Sequence, residues 1–186
     1  LAKYKEKELV NYRKNIVSYI FQHYHLLENQ TALYNIMLPC LLKGDSYLTA
    51  KRKVLSLIND FSISEDLLKK KCSLLSGGEK ERIAIMRAFI NEPHILLADE
   101  PTGALDKDNS LLVMESLKKA SKRSLVIMVT HNEQLAREYS DRIIHMKDGR
   151  VVKDEKIKLI NGKHHHIDKE RKSNPNWYSK IIARNF

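Results

Sequence analysis

The sequence is poor in several features that mark protein classes. Of its 186 residues only two are cysteines, Cys40 and Cys72, far apart and with no secretory signal ahead of them. A disulfide framework is therefore not expected, and both thiols should be reduced. The longest apolar stretch, Ile36 to Leu42, is interrupted by Pro39 and falls far short of the roughly twenty residues that span a bilayer. No internal repeat and no sustained heptad pattern is present, which argues against a solenoid or a long coiled coil. Glycine is also scarce: its six positions, 44, 77, 78, 103, 149 and 162, never give G-x-x-x-x-G followed by Lys. The chain thus carries no phosphate-wrapping loop of that kind.

What is present suits a globular domain. Apolar residues make up 42% of the chain, enough for a sizeable core in a single domain. The net charge is +10, from 33 Lys and Arg against 23 Asp and Glu. Such an excess fits nucleic acid, an anionic membrane surface or a basic proteome. Half of it lies between Val151 and Phe186, where nine basic residues face four acidic ones and Trp177 and Tyr178 precede Ile181 and Ile182. Basic residues with interfacial aromatics are what precedes a membrane segment on its cytoplasmic side. A solvated linker is the plainer alternative. His164, His165 and His166 are adjacent on one segment with no Cys or acidic cluster built around them, so metal binding is not expected there.

The densest chemistry lies in the middle of the chain. Ser76 and Glu79 have the S-x-x-E spacing of a capping box, predicting a helix from here through Phe89 until Asn91 and Pro93 stop it. Its first turn carries unpaired N–H groups. Gly77 and Gly78 would let an anion approach that backbone, with the helix dipole favouring the charge. A helix start that merely contains two glycines is the alternative. Ile95 to Ala98 reads as a central parallel strand, and Asp99 and Glu100 fall at its carboxyl end, where open α/β sheets bind ligands. There Asp99 would complete a Mg²⁺ shell of water and phosphate oxygens, and Glu100 would orient or deprotonate an attacking water.

Taken in order, L-S-G-G-E at Leu75 to Glu79, I-L-L-A-D-E at Ile95 to Glu100, P-T-G-A-L-D at Pro101 to Asp106 and V-T-H at Val129 to His131 resemble the signature, Walker B, D-loop and switch histidine of an ABC-type ATP-binding domain. Phe21 and Gln22 stand where such domains carry the Q-loop. The T-G-A-L-D form, with F-Q-H-Y-H-L-L at Phe21 to Leu27 and N-I-M-L-P at Asn35 to Pro39, is most similar to the branch serving lipoprotein release and macrolide or peptide efflux. The resemblance implies an α/β P-loop-type core sheet with a helical subdomain over about residues 31–90, and ATP and Mg²⁺ as cofactors. It implies hydrolysis by a pair of domains, each completing the other's site, on the cytoplasmic face of the plasma membrane. Glu100 and His131 would be catalytic, Ser76, Gly77, Gly78, Glu79, Gln22 and Asp106 would bind ATP, and Asp99 with Gln22 would hold the metal. Gln22 would couple nucleotide to a permease, His131 would bond the γ-phosphate, and Asp106 would order the opposing site while also capping the following helix.

Two departures bear on that resemblance. Family members place the Walker A loop and the adenine-stacking aromatic before the Q-loop, and this chain begins with Leu1 rather than Met, so it is expected to be N-terminally truncated and inactive as an ATPase by itself; a natural remnant is the alternative. Cys72 stands where relatives often have Pro, and Leu74 where they usually have a polar residue. The expected layout is a partial ATP-binding domain at 1–154 and a basic linker at 155–186, leading to a permease fused or separate. Export or efflux is the expected activity, with no nucleic acid as partner. A non-transport ABC ATPase acting on ribosomes or DNA is the other function class.

Local signals give the rest. A strand is predicted over Asn15 to Phe21, helices near Thr31 to Leu42, Tyr47 to Phe61, Ser64 to Lys71, Asn109 to Ser121 and Asn132 to Tyr139, and a buried strand over Leu125 to Val129. Asp148 and Gly149 signal a two-residue hairpin between Arg142 to Lys147 and Arg150 to Asp154.

Overall fold

Three parallel strands form the centre of the fold: β1 (Val17–Ile20), β2 (Ile95–Asp99) and β3 (Leu125–Val129), in that spatial order. The computed structural model describes residues 16–157, together with Lys5, Glu6, Leu9, Val10 and Tyr12. Val17 stands opposite Ile95, and Ile95 opposite Leu125, so β2 is paired on both sides. Ile95, Leu96 and Ala98 are accordingly buried, as the unbroken apolar run requires. β3 is different. Val126 and Met128 pack against the core, whereas Leu125, Ile127 and Val129 are 51%, 47% and 60% exposed, because no described element covers that face. The expected buried strand is thus half-buried, with apolar residues on both faces.

The crossover from β1 to β2 is a helical layer of α1 (Ala32–Lys43), α2 (Tyr47–Leu57), α3 (Glu65–Lys69) and α4 (Gly77–Phe89). Each begins where a hydroxyl can serve the first turn: Thr31 accepts from the Tyr34 N–H, Ser46 from Thr49, Ser64 from Leu67 and Ser76 from Glu79. α1 ends at Gly44, whose φ of 100° only glycine adopts readily. The helix expected to reach Phe61 gives way to a 3-10 turn at Ile58–Phe61. α4 buries Ile83, Ala84, Ile85 and Met86 in the same core as Ile36, Met37 and Cys40 of α1, and Phe61 meets Phe89 at 5.4 Å between ring centroids. Cys40 and Cys72 are buried thiols with separate partners, Asn91 and Asn35.

β2 returns to β3 through α5 (Lys107–Ala120), capped by Asp106, and α6 (Glu133–Tyr139) follows, capped by Asn132. The chain then forms a hairpin of β4 (Arg142–Lys147) and β5 (Arg150–Lys156) across Asp148 and Gly149, both in the left-handed region at φ 50° and 74°. β5 runs two residues past the expected domain boundary at 154. Glu155 draws Lys153, His145 and Arg137 around it; hydrogen bonds from Lys153 and His145, with the charges of Lys153 and Arg137, hold its carboxyl down to about 2. Arg137, which also pairs with Glu133 within α6, ties the hairpin to that helix through Glu155. The linker expected beyond, with its histidine run, Trp177 and Tyr178, lies outside the described residues. Among those described, no helix is long and apolar enough to cross a membrane.

Candidate functional site

The carboxyl ends of β2 and β3 bring Glu100 and His131 together, with Asp99 as the last residue of β2. Glu100 leaves β2 in the left-handed region, at φ 46°, while its N–H still donates to the Val129 carbonyl at 2.9 Å. A non-glycine residue in that conformation is held there by its surroundings. The surroundings are the V-T-H segment: Glu100 Oε1 lies 2.9 Å from His131 Nδ1, and Oε2 accepts from the Thr130 hydroxyl at 3.3 Å. Thr130 in turn accepts from the Asn132 N–H, so the start of α6 fixes the pair. The His131 side chain is 78% exposed and that of Glu100 19% exposed, which leaves the imidazole open to a ligand and the carboxylate behind it. A cavity of about 450 Å³ adjoins them, lined by Glu100, Gly103, Lys107, His131, Asn132 and Gln134 among others.

Asp99 points elsewhere. It is half-buried, and its Oδ2 accepts from the Tyr19 hydroxyl at 3.3 Å. Desolvation, and then the Asp99 charge, keep the Tyr19 phenol protonated above its ordinary range. Among the described residues, no three His, Cys, Asp or Glu side chains converge into a metal cage. Asp99 is instead a single hard oxygen donor at a strand end. That suits Mg²⁺, which retains water and substrate oxygens rather than an all-protein shell.

The signature segment folds as its sequence implies. Ser76 and Glu79 form the reciprocal capping box, with the Ser76 N–H donating to Glu79 Oε2 at 2.8 Å. Ser76 and Gly77 are exposed, leaving the N-terminal N–H groups of α4 accessible. Gly78 is buried for another reason. A Cβ built there would come within 2.2 Å of Asn109 Oδ1, so the side chain it lacks makes room for the carboxamide of α5. On that side Gly78 accommodates a neighbour rather than an anion. Glu79 has its carboxylate engaged in the cap, and Asp106 caps α5 through the Asn109 N–H at 2.9 Å.

Gln22 lies exposed in a turn after β1, closed by the Tyr24 N–H donating to Phe21 O. The exit of that turn is unusual: Tyr24 and His25 both have positive φ, 58° and 46°. Arg87 of α4 stabilises it, donating to the Tyr24 and His25 carbonyls at 2.6 Å each. Burial pulls the Arg87 guanidinium below its usual pKa. Sequence reasoning missed Arg87, Asn109 and Tyr19, because each acts on a residue remote in sequence or turned inward by packing. It also missed Glu81, which is 1% exposed and has Oε1 without a hydrogen-bond partner. Nothing in E-K-E-R distinguishes it from a solvated run.

Comparison with known proteins gives the family and the fold. The ABC transporter family profile matches residues 2–103. The uncharacterized ABC transporter ATP-binding protein MJ0796 of Methanocaldococcus jannaschii is 36% identical over 158 residues, covering 82% of this chain and 67% of that protein. The lipoprotein-releasing system ATP-binding protein LolD of Zymomonas mobilis is 39% identical over 151 residues, covering 80% and 64%. A dimeric, post-hydrolysis structure of the MJ0796 cassette bound to ADP and Pi superposes with a TM-score of 0.73 at 34% identity, over 84% of this chain and 69% of that one. The chain belongs to the ABC transporter family and has the α/β fold of its ATP-binding cassettes. It spans about two thirds of the length of these relatives.

Proposed function

We propose that the protein containing this chain binds and hydrolyses ATP as one of a pair of cassettes and uses the cycle to drive transport across a membrane. The observation that carries this reading is the Glu100 carboxylate paired with His131 at 2.9 Å at the open end of the sheet, one residue after Asp99. In this reading Glu100 takes the proton of an attacking water, and His131 hydrogen-bonds the γ-phosphate from its exposed position. Asp99, with Gln22, supplies protein oxygens to Mg²⁺, which when bound neutralises charge developing on the phosphates. Ser76, Gly77 and Gly78 present the N-terminus of α4, with Glu79 closing the cap, to the γ-phosphate held by the partner cassette. Asp106 meets that partner at the seam. The phosphate-wrapping loop is absent from these 186 residues, so the reading applies to the intact protein.

Similarity to a lipoprotein-releasing ATP-binding protein supports an exporting or releasing transporter with a permease partner at the cytoplasmic face of the membrane. A ribosome- or DNA-acting ATPase is disfavoured by the sequence likeness at Phe21 to Leu27. The test is phosphate release by the intact protein with Mg²⁺ and ATP at a series of protein concentrations. Turnover per cassette should rise with concentration as pairs form. No release above the buffer rate, with or without its permease, contradicts the proposal.

A further inference from the structure

Two of the surfaces assigned to the partner cassette, the signature turn and Asp106, lie on different helices, and one side chain joins them. Asn109 donates from Nδ2 to Asp106 Oδ2 at 2.7 Å, and its backbone N–H donates to Asp106 Oδ1 at 2.9 Å. On its other side Oδ1 accepts from Arg82 Nη1 of α4 at 3.4 Å. The same carboxamide fills the space beside Gly78, where a Cβ would fall 2.2 Å from Oδ1 and 2.4 Å from Cγ. A guanidinium can only donate and a carboxylate can only accept, so the two neighbours fix which end of the amide faces which. An amide serves both at once, as an ionised carboxylate cannot. Asp106 is held below the ordinary carboxylate range, first by the Asn109 N–H and next by its side chain. Arg82 is buried and its Nε has no partner, so the bond to Asn109 is one of few it has available.

We propose that Asn109 is a positioning residue that fixes the spacing of Asp106 and the signature turn at Gly78, so that both reach the partner cassette as one rigid edge. The inference rests on the paired-ATPase reading and deepens it. Dimer closure requires two contacts on one protomer to meet their counterparts together, and pre-setting their separation removes an ordering cost from the association step.

The test uses the intact protein with Asn109→Asp, which conserves volume but sets two carboxylates against each other while retaining a partner for Arg82. ATP affinity of the isolated cassette and the melting temperature should stay near wild type. The protein concentration needed for half-maximal ATP-driven dimerisation should rise about tenfold or more, a loss on the scale of one charge-assisted contact. A pH profile separates this role from simple packing. Dimerisation by Asn109→Asp should recover as pH falls, once the carboxyl pair takes up a proton and can share it as a hydrogen bond, at a midpoint raised by the neighbouring charge. Wild-type dimerisation with an equally tight, pH-independent Asn109→Asp variant overturns the inference and leaves the ATPase reading standing. The Asp106 carboxyl, followed by carbon NMR, supplies a second arm. Its midpoint should rise in Asn109→Ala while staying below the ordinary range, because the backbone N–H at 109 remains, and an unchanged midpoint also overturns the link. A midpoint raised by Asn109→Ala, together with a wild-type protein that fails to dimerise with ATP, supports the link and sinks the paired-cassette reading instead.

Discussion

At the scale of single residues, Glu81 shows how much a position's environment decides. Its side chain lies inside α4 rather than on the surface, and burial raises the carboxyl from 4.5 to about 8, against the opposing pull of the Arg87 charge. Between those pH values the folded protein keeps a proton that the unfolded chain releases, so the unfolded state becomes relatively favoured as pH rises. Stability is therefore greatest below about pH 4.5 for this group and declines towards pH 8. Replacement by Gln keeps the shape and removes the titration. Thermal melting of Glu81→Gln from pH 5 to pH 8 should show a flatter profile than wild type and a higher midpoint at the alkaline end. An unchanged slope would place the proton elsewhere. Asn109 and Gly78 make the same point from the other direction, since a glycine legible as an anion-approach position also proves to accommodate a neighbouring carboxamide.

At the scale of elements, what was legible in the sequence was local. The capping box at Ser76 and Glu79, the Asp106 cap, the apolar run of β2 and the Asp148–Gly149 turn all act within a few residues, and each appears where its chemistry requires. What was not legible depends on contacts between distant segments. Arg87 reaches Tyr24 and His25 across more than sixty residues, and no period or cap announces that. The exposed face of β3 has no described element packed upon it, which the run L-V-I-M-V does not encode. The pairing of Glu100 with His131 is a similar case: both were legible as candidates, but their contact comes from adjacent parallel strands ending together. Because two left-handed residues depend on Arg87, Arg87→Ala should destabilise the protein by about 2–4 kcal/mol, the scale of lost charge-assisted bonds with carbonyls left unpaired. Urea unfolding measures this, with Arg87→Lys intermediate. A loss below about 0.5 kcal/mol, typical of a surface change, would mean that the turn holding Gln22 is stable without the clamp.

At the scale of the whole molecule, α4 links the parts of the site. Its first turn is the signature, Gly78 and Arg82 contact Asn109 beside the Asp106 cap, and Arg87 near its end braces the turn that carries Gln22. One helix thus braces the signature turn, the Asp106 cap and the turn that carries Gln22. The role proposed for Glu100, activation of water, is the one most directly open to measurement. In the intact protein Glu100→Gln keeps the side-chain shape and removes the base, so mixing it with Mg²⁺ and ATP should give a long-lived dimer by light scattering and no phosphate release above background. Near-normal phosphate release by Glu100→Gln would contradict the account.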